Sequence, residues 1–260
     1  MRIAIVSDIH GNLPALQAVV AHMRRYGVDQ VVNLGDSLSG PLLPRETAEY
    51  LMEQGWPTLA GNHERQLLTQ APERMGLSDR YAYELLTPTV RDWLRSLPST
   101  LQWSPDVLLC HGTPHSDVHY FLETLDGNAL RLASAEEITQ RLEGRQGPLG
   151  QLGPLDAASS PVIACGHTHV PRVVRAASGQ LLVNPGSVGM PAYDDDVPVP
   201  HVVETGSPDA RYATLECHAG QWFASLHTVP YDYHAMADLA RSRGRLDWEY
   251  NLRTGYAVLP

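Results

Sequence analysis

Arg2-Ile3-Ala4-Ile5-Val6-Ser7-Asp8-Ile9-His10-Gly11-Asn12 is the stretch that decides how this chain reads. A short β-branched run reads as a buried strand. It stops on an Asp and a His two residues apart, which share one side of an extended backbone. Side chains at a strand end are free to project into the crevice at the carboxyl edge of a sheet. The same event recurs downstream. Gly35-Asp36 closes the run 28–34, and Gly61-Asn62-His63-Glu64 follows the short run 57–60. His111-Gly112 follows 106–110, and Gly166-His167-Thr168-His169 follows 161–165. Asp, Asn and His bind Mn, Fe, Zn, Co, Ni or Mg through oxygen and imidazole nitrogen. Five such segments in order point to one dinuclear site, with Asp36 placed as the carboxylate that holds two cations about 3.5–4 Å apart.

Between these segments the chain alternates. Leu13, Leu16, Val20 and Met23 recur at helical spacing over 13–26, with Pro14 in the first turn. Residues 44–54 and 78–97 read as helical. Strand, helix, strand, helix is the rhythm of a parallel sheet with crossover helices. Residues 113–160 break it and read as a helical insertion beside the site, with an amphipathic helix near 134–143 and a Gly-, Pro- and Leu-rich loop at 144–155. Hairpins are expected at 170–175 with 180–184 and at 211–217 with 221–229, separated by a mobile Pro- and Asp-rich stretch at 190–208. A helix at 232–243 and a polar tail close the chain. The expected architecture is α/β: two mixed sheets packed as a sandwich and flanked by helices. Residues 1–231 form the domain, and 232–260 belong to it.

With 260 residues, 43% of them hydrophobic, the chain can build one large core without disulfides or structural metal. Nineteen Lys and Arg against 29 Asp and Glu leave a formal charge of −10, which argues against tight nucleic-acid binding. Three sparse cysteines fit a reducing compartment. Met1–Val6 is too short for a signal-peptide core, and no run reaches the roughly 20 apolar residues of a membrane span. The expectation is a soluble, cytoplasmic protein.

Asp-x-His, Gly-Asp, Gly-Asn-His-Glu, His-Gly and Gly-His-Thr-His, in that order over residues 8–169, resemble the calcineurin-like metallophosphoesterase superfamily. Asp8-Ile9-His10-Gly11-Asn12-Leu13 and Asn184-Pro185-Gly186-Ser187 look like its bacterial phosphodiesterase branch related to YfcE. The resemblance implies that Asp8, His10 and His169 hold one metal, that Asn62, His111 and His167 hold a second, and that Asp36 bridges them. His63 would face the phosphate as proton donor or charge stabiliser, and Asn62 would touch both metal and phosphate. It implies hydrolysis of a small or nucleotide-type phosphodiester by a hydroxide shared between two transition-metal ions, manganese first among them. A phosphomonoesterase and, further off, an interaction scaffold of the same fold are the alternatives.

Protein Ser/Thr phosphatases similar to this fold carry Gly-Asp-x-x-Asp-Arg-Gly. Here Ser39 and Gly40 replace the His-orienting Asp and the phosphate-binding Arg. That argues against a protein phosphatase and leaves the partner of His63 open.

Other residues carry plainer readings. His22, His201, His218, His227 and His234 read as structural histidines. His115 and His119 lie close enough to His111 to reach the cleft, and Arg65 is placed to meet an anionic substrate. Asn12 reads equally as a helix cap or a site residue, and Glu64 as a helix opener. Cys110 and Cys165 read as small buried hydrophobes, and Asp194-Asp195-Asp196 as a solvated acidic run. Tyr120-Phe121-Leu122 would serve a substrate cap or a homo-oligomer contact, and Met236 and Leu239 would dock on this chain or on a second copy.

Overall fold

The structure is a computed structural model that describes residues 1–145 and 157–257. Two mixed sheets pack face to face. The first holds β1 (Arg2–Val6), β2 (Gln30–Asn33), β12 (Ala210–His218) and β13 (Gln221–Val229) in the order β13-β12-β1-β2. The second holds β3 (Thr100–Ser104), β4 (Val107–Cys110), β7 (Val162–Ala164), β8 (Arg172–Arg175) and β9 (Leu181–Asn184) in the order β3-β4-β7-β9-β8.

Alternation along the strands explains the layering. Ile3, Ile5, Val107, Leu109, Val162 and Ala164 face one another in the sandwich core. Ala4 and Val6 face outward under α1 (Leu13–Tyr26). Leu108, Cys110, Ile163 and Cys165 face outward under the segment after His111. Apolar runs with both faces covered are what a sheet buried between layers requires.

Helix α1 begins at Asn12, whose side chain accepts from Ala15 N, and ends at Gly27, whose left-handed φ of 69° closes the last turn. The Asn12 amide also donates to Gly189 O and Tyr231 Oη, so this residue is a cap with two further ties. Ala15, Leu16, Val19, Val20 and Met23 form the buried stripe. Each large apolar side chain there contributes roughly 1.5–3 kcal/mol.

Next come α2 (Pro44–Gln54) and α3 (Asn62–Thr69). The span 78–97 is two helices, α4 (Leu77–Leu85) and α5 (Pro88–Ser96), because Pro88 cannot continue a helix and suits the first turn of a new one.

The insertion is less helical than its sequence suggests. It contains a hairpin, β5 (Glu123–Asp126) with β6 (Ala129–Leu132), before helix α6 (Ala135–Leu142). From residue 146 on, the Gly-, Pro- and Leu-rich loop lies outside the described residues. The stretch 190–208 reads as mobile in sequence but contains a second hairpin, β10 (Ala192–Asp195) with β11 (His201–Glu204). Buried Ala192 and Val203 pin it, so tertiary packing overrides the poor strand propensity of Asp and Pro.

The polar tail likewise contains a helix. After α7 (Tyr233–Ser242), α8 (Leu246–Thr254) packs Trp248 and Leu252 with Leu42, Met190 and Met236. The C-terminal helices therefore dock on their own chain. Phe121 and Leu122 are also core residues, 2% and 0% exposed, and so present no patch to a second copy. No helix among the described residues is long and apolar enough to cross a membrane.

Candidate metal centre

Parallel pairing of β1 with β2, and of β4 with β7, brings the carboxyl ends of four strands to one edge. Asp8 and His10 follow β1, Asp36 follows β2, His111 follows β4, and His167 and His169 follow β7. Backbone bonds tie these ends together: Asp8 N donates to Gly35 O (3.0 Å), His10 N to Asp36 O (3.0 Å) and Gly166 N to His111 O (2.6 Å). Among the described residues, six non-glycine residues have positive φ, and five of them are Asp8, His10, Asp36, His167 and His169. Left-handed backbone is costly for such side chains, and it concentrates where surrounding structure holds a functional geometry.

Asp8, His10 and His169 form one group whose ligand atoms lie within 4.8 Å of one another; Asp36, His111 and His167 form a second. Asn62 joins the second group, its Oδ1 3.1 Å from His111 Nε2. His111 Nε2 also lies 2.9 Å from Asp36 Oδ2 and 4.0 Å from Asp8 Oδ1, so the two groups adjoin.

Backbone carbonyls select the tautomers. His10 Nδ1 faces Ser39 O at 2.7 Å, His111 Nδ1 faces Leu34 O at 2.9 Å, and His169 Nδ1 faces Met190 O at 2.7 Å. A carbonyl only accepts, so each Nδ1 carries the proton and each Nε2 lone pair points into the site. His167 is turned the other way: its Nε2 donates to Val118 O (3.0 Å), leaving Nδ1 as the ligand atom.

These donors fit a pair of cations. His10 Nε2 and His169 Nε2 sit 3.2 Å apart, lone pair against lone pair, and buried Asp8 Oδ1 has no hydrogen-bond partner. Buried polar atoms left this way are destabilising unless a proton or a metal lies between them. Burial, with His169 next, lowers the His10 pKa to about 4; burial, with His111 next, lowers that of His167 to about 3. Both are therefore neutral ligands at neutral pH. Burial also opposes charge on His111, but Asp36 and Asp8 outweigh it and hold its proton to about 10, the place a cation would take.

The Asp36 loop is fixed from below. Glu64, fully buried, accepts from Asp36 N, Ser37 N and Gly61 N, each at 2.8 Å. It opens α3 and also splices the second ligand segment to the third. Gly61 is required there, since a Cβ would stand 2.2 Å from Asp36 Oδ1.

Asp79 supplies the partner that the sequence leaves open for His63. It lies on α4, and its Oδ1 is 2.7 Å from His63 Nδ1. Burial alone would push His63 down, but the charges of Asp36 and Asp79 and this bond raise its pKa to about 10. His63 stays 28% exposed, beside Asn62 and outside both ligand groups. No local pattern marks Asp79, because its role arises from the packing of α4 on α3. The position of the missing arginine is filled from elsewhere too: a Cβ on Gly40 would stand 2.7 Å from the Trp248 ring, which lies edge-on to His10 at 6.1 Å between centroids.

A cleft of about 790 Å³ opens beside the centre, lined among others by Asn62, Arg65, Val118, Tyr120, Leu125 and His167. Arg65 faces it already engaged, bidentate to buried Asp117 at 2.6 and 3.0 Å. His119 and Asp195 also line this cleft, whereas His115 turns to Leu142 O. Cys110 and Cys165 stay among apolar neighbours, where burial pushes both thiols up.

The 4.7 Å approach of Tyr193 to His169 has no signature in the local sequence. The chain is 25% identical over 217 residues to the uncharacterized protein MJ0912 of Methanocaldococcus jannaschii, covering 73% of this chain and 76% of that one. It resembles the solved metallophosphoesterase from Sphaerobacter thermophilus, with 26% identity, a TM-score of 0.68 and coverage of 94% and 95% of the two chains. It shares its fold with the hypothetical protein PH1004 from Pyrococcus horikoshii OT3, at 16% identity, a TM-score of 0.74 and 99% coverage of both. The model of the calcineurin-like phosphoesterase superfamily domain matches residues 1–206, so this chain belongs to that superfamily of metal-dependent phosphoester hydrolases.

Proposed function

We propose that this protein is a phosphodiesterase that uses two transition-metal ions, manganese first among them, to hydrolyse a small or nucleotide-type phosphate diester. The carrying observation is the pair of adjoining ligand groups whose free lone pairs converge on one edge. When bound, the ions would supply Lewis-acid charge and lower the pKa of water at neutral pH. Asp8, His10 and His169 would hold one, Asn62, His111 and His167 the other, and Asp36 both.

The chain's own residues complete the chemistry. Asp79 orients His63 through Nδ1, which directs Nε2 away from Asp79. A protonated His63 would donate to the leaving oxygen or neutralise its charge, a contribution of about 10²–10⁴ in rate. The side-chain amide of Asn62, at the start of α3, would contact a phosphoryl oxygen. The cleft over His167 has room for a second ester substituent, which supports a diester over a monoester.

Purified protein supplied with manganese should hydrolyse an aryl phosphodiester, and Asp36→Asn should reduce that rate at least a thousandfold. Equal rates for the two proteins across mono- and diesters would end the enzyme reading. Faster turnover of the monoester would reverse the preference.

A further inference from the structure

Two tyrosines outside the ligand set touch one histidine in each group. The Tyr193 ring on β10 meets His169 edge-on, 4.7 Å between centroids. The Tyr120 ring, just before β5, meets His167 edge-on at 5.3 Å. Their hydroxyls lie 2.9 Å apart, and the Tyr193 hydroxyl is also 3.5 Å from His167 O. We infer that Tyr120 and Tyr193 act as a clamp that fixes the spacing between the two ligand groups. This rests on the two-cation reading above.

The hydrogen bonds give the clamp a direction. His201 Nδ1 faces Val199 O at 2.8 Å, and a carbonyl only accepts, so Nδ1 carries the proton. In that tautomer His201 Nε2 accepts from the Tyr120 hydroxyl at 2.8 Å. The Tyr120 oxygen then accepts from the Tyr193 hydroxyl. One chain therefore runs from Tyr193 through Tyr120 to buried His201, with every donor used.

The carbonyls of Met190 and Val118 hold the outer nitrogens of His169 and His167, which leaves tilting of each ring as the motion still to be restrained. A T-shaped ring contact restricts that tilt, as contacts behind ligands commonly do. Here the two restraining rings share a hydrogen bond, so moving one histidine moves the other. Both tyrosines are positioning residues, since their rings touch ligand histidines while their hydroxyls bond to each other and to His201.

The test uses manganese(II) alone, titrated into metal-free protein and followed by calorimetry and by the electron paramagnetic resonance of the bound ions. Wild type should bind two ions with a spin-coupled signal. Tyr193→Phe keeps the ring and removes the link. It should weaken the second ion roughly tenfold and alter the coupled signal while the melting temperature holds. Tyr120→Phe also cuts the bond to His201 Nε2, so it should weaken the second ion at least as much, and the double variant should lose no more than Tyr120→Phe alone, because the link between the two hydroxyls is already gone in it. Either single variant alone carries the test if the other fails to fold. Unchanged affinity and signal in the Phe variants, or additive losses in the double one, would overturn the clamp while leaving the two-cation reading intact. Fewer than two ions in wild type would overturn both.

Discussion

The ligand edge and the layer that covers it are built differently. At the edge, the Asp and His side chains are delivered by strands that stop, with Asn62 at the start of α3, and their backbones are tied by neighbouring strand ends. In the covering layer, formed by the segment 113–145 and the β10–β11 hairpin, side chains reach the centre from loops and short hairpins. Tyr120 reaches His167 and Tyr193 reaches His169 in this way. On the proposed function, the edge would carry the chemistry and the covering layer would shape what enters; the first is written in local motifs and the second in packing. Substitutions at the edge should therefore abolish turnover of every substrate, whereas substitutions in the covering layer should change which substrates turn over.

The largest effect that separates chemistry from metal binding belongs to His63. His63→Ala should lower kcat by roughly 10²–10⁴ while metal analysis still finds the wild-type manganese content. Equal loss of both would make His63 a ligand and move it into the edge.

Asp79 comes next. Asp79→Asn removes a charge that holds the His63 proton, so kcat should fall about tenfold, within the range for partners that orient a working side chain. The sign of its pH effect follows from the role of His63. A proton donor works below its pKa and fails as pH rises through it. Without Asp79 that pKa drops from its raised position, and the alkaline limb of the kcat profile should move to lower pH. A limb that stays in place would mean that another group carries the proton.

The smallest effect probes the cover. Leu125→Ala, in the cleft wall, should raise KM severalfold for a bulky diester and leave the rate on a small aryl phosphodiester within twofold. Equal damage to both substrates would erase the distinction between the two regions.

How much was legible in sequence follows the same division. The strand ends could be read because short β-branched runs stopping on Asp or His are local patterns, whereas 57–60 makes only an isolated bridge at Thr58 before Asn62 opens α3. Glu64 could be read in part from its place after His63. Its three backbone bonds could not, since they join segments 27 residues apart or more in two of three cases. Asp79 was invisible because it meets His63 from the next helix, across a turn that carries no motif. The β10–β11 hairpin was hidden by Asp and Pro, residues that disfavour strands. Helix α8 was hidden by a sparse apolar pattern, in which Trp248 and Leu252 are the apolar residues it buries.

The measurement that tests the account most directly is anomalous diffraction from crystals grown with manganese. Two peaks are predicted, roughly 3.5–4 Å apart, one against Asp8, His10 and His169 and the other against Asn62, His111 and His167, with Asp36 reaching both. A single peak, or a pair bound away from this edge, would contradict it.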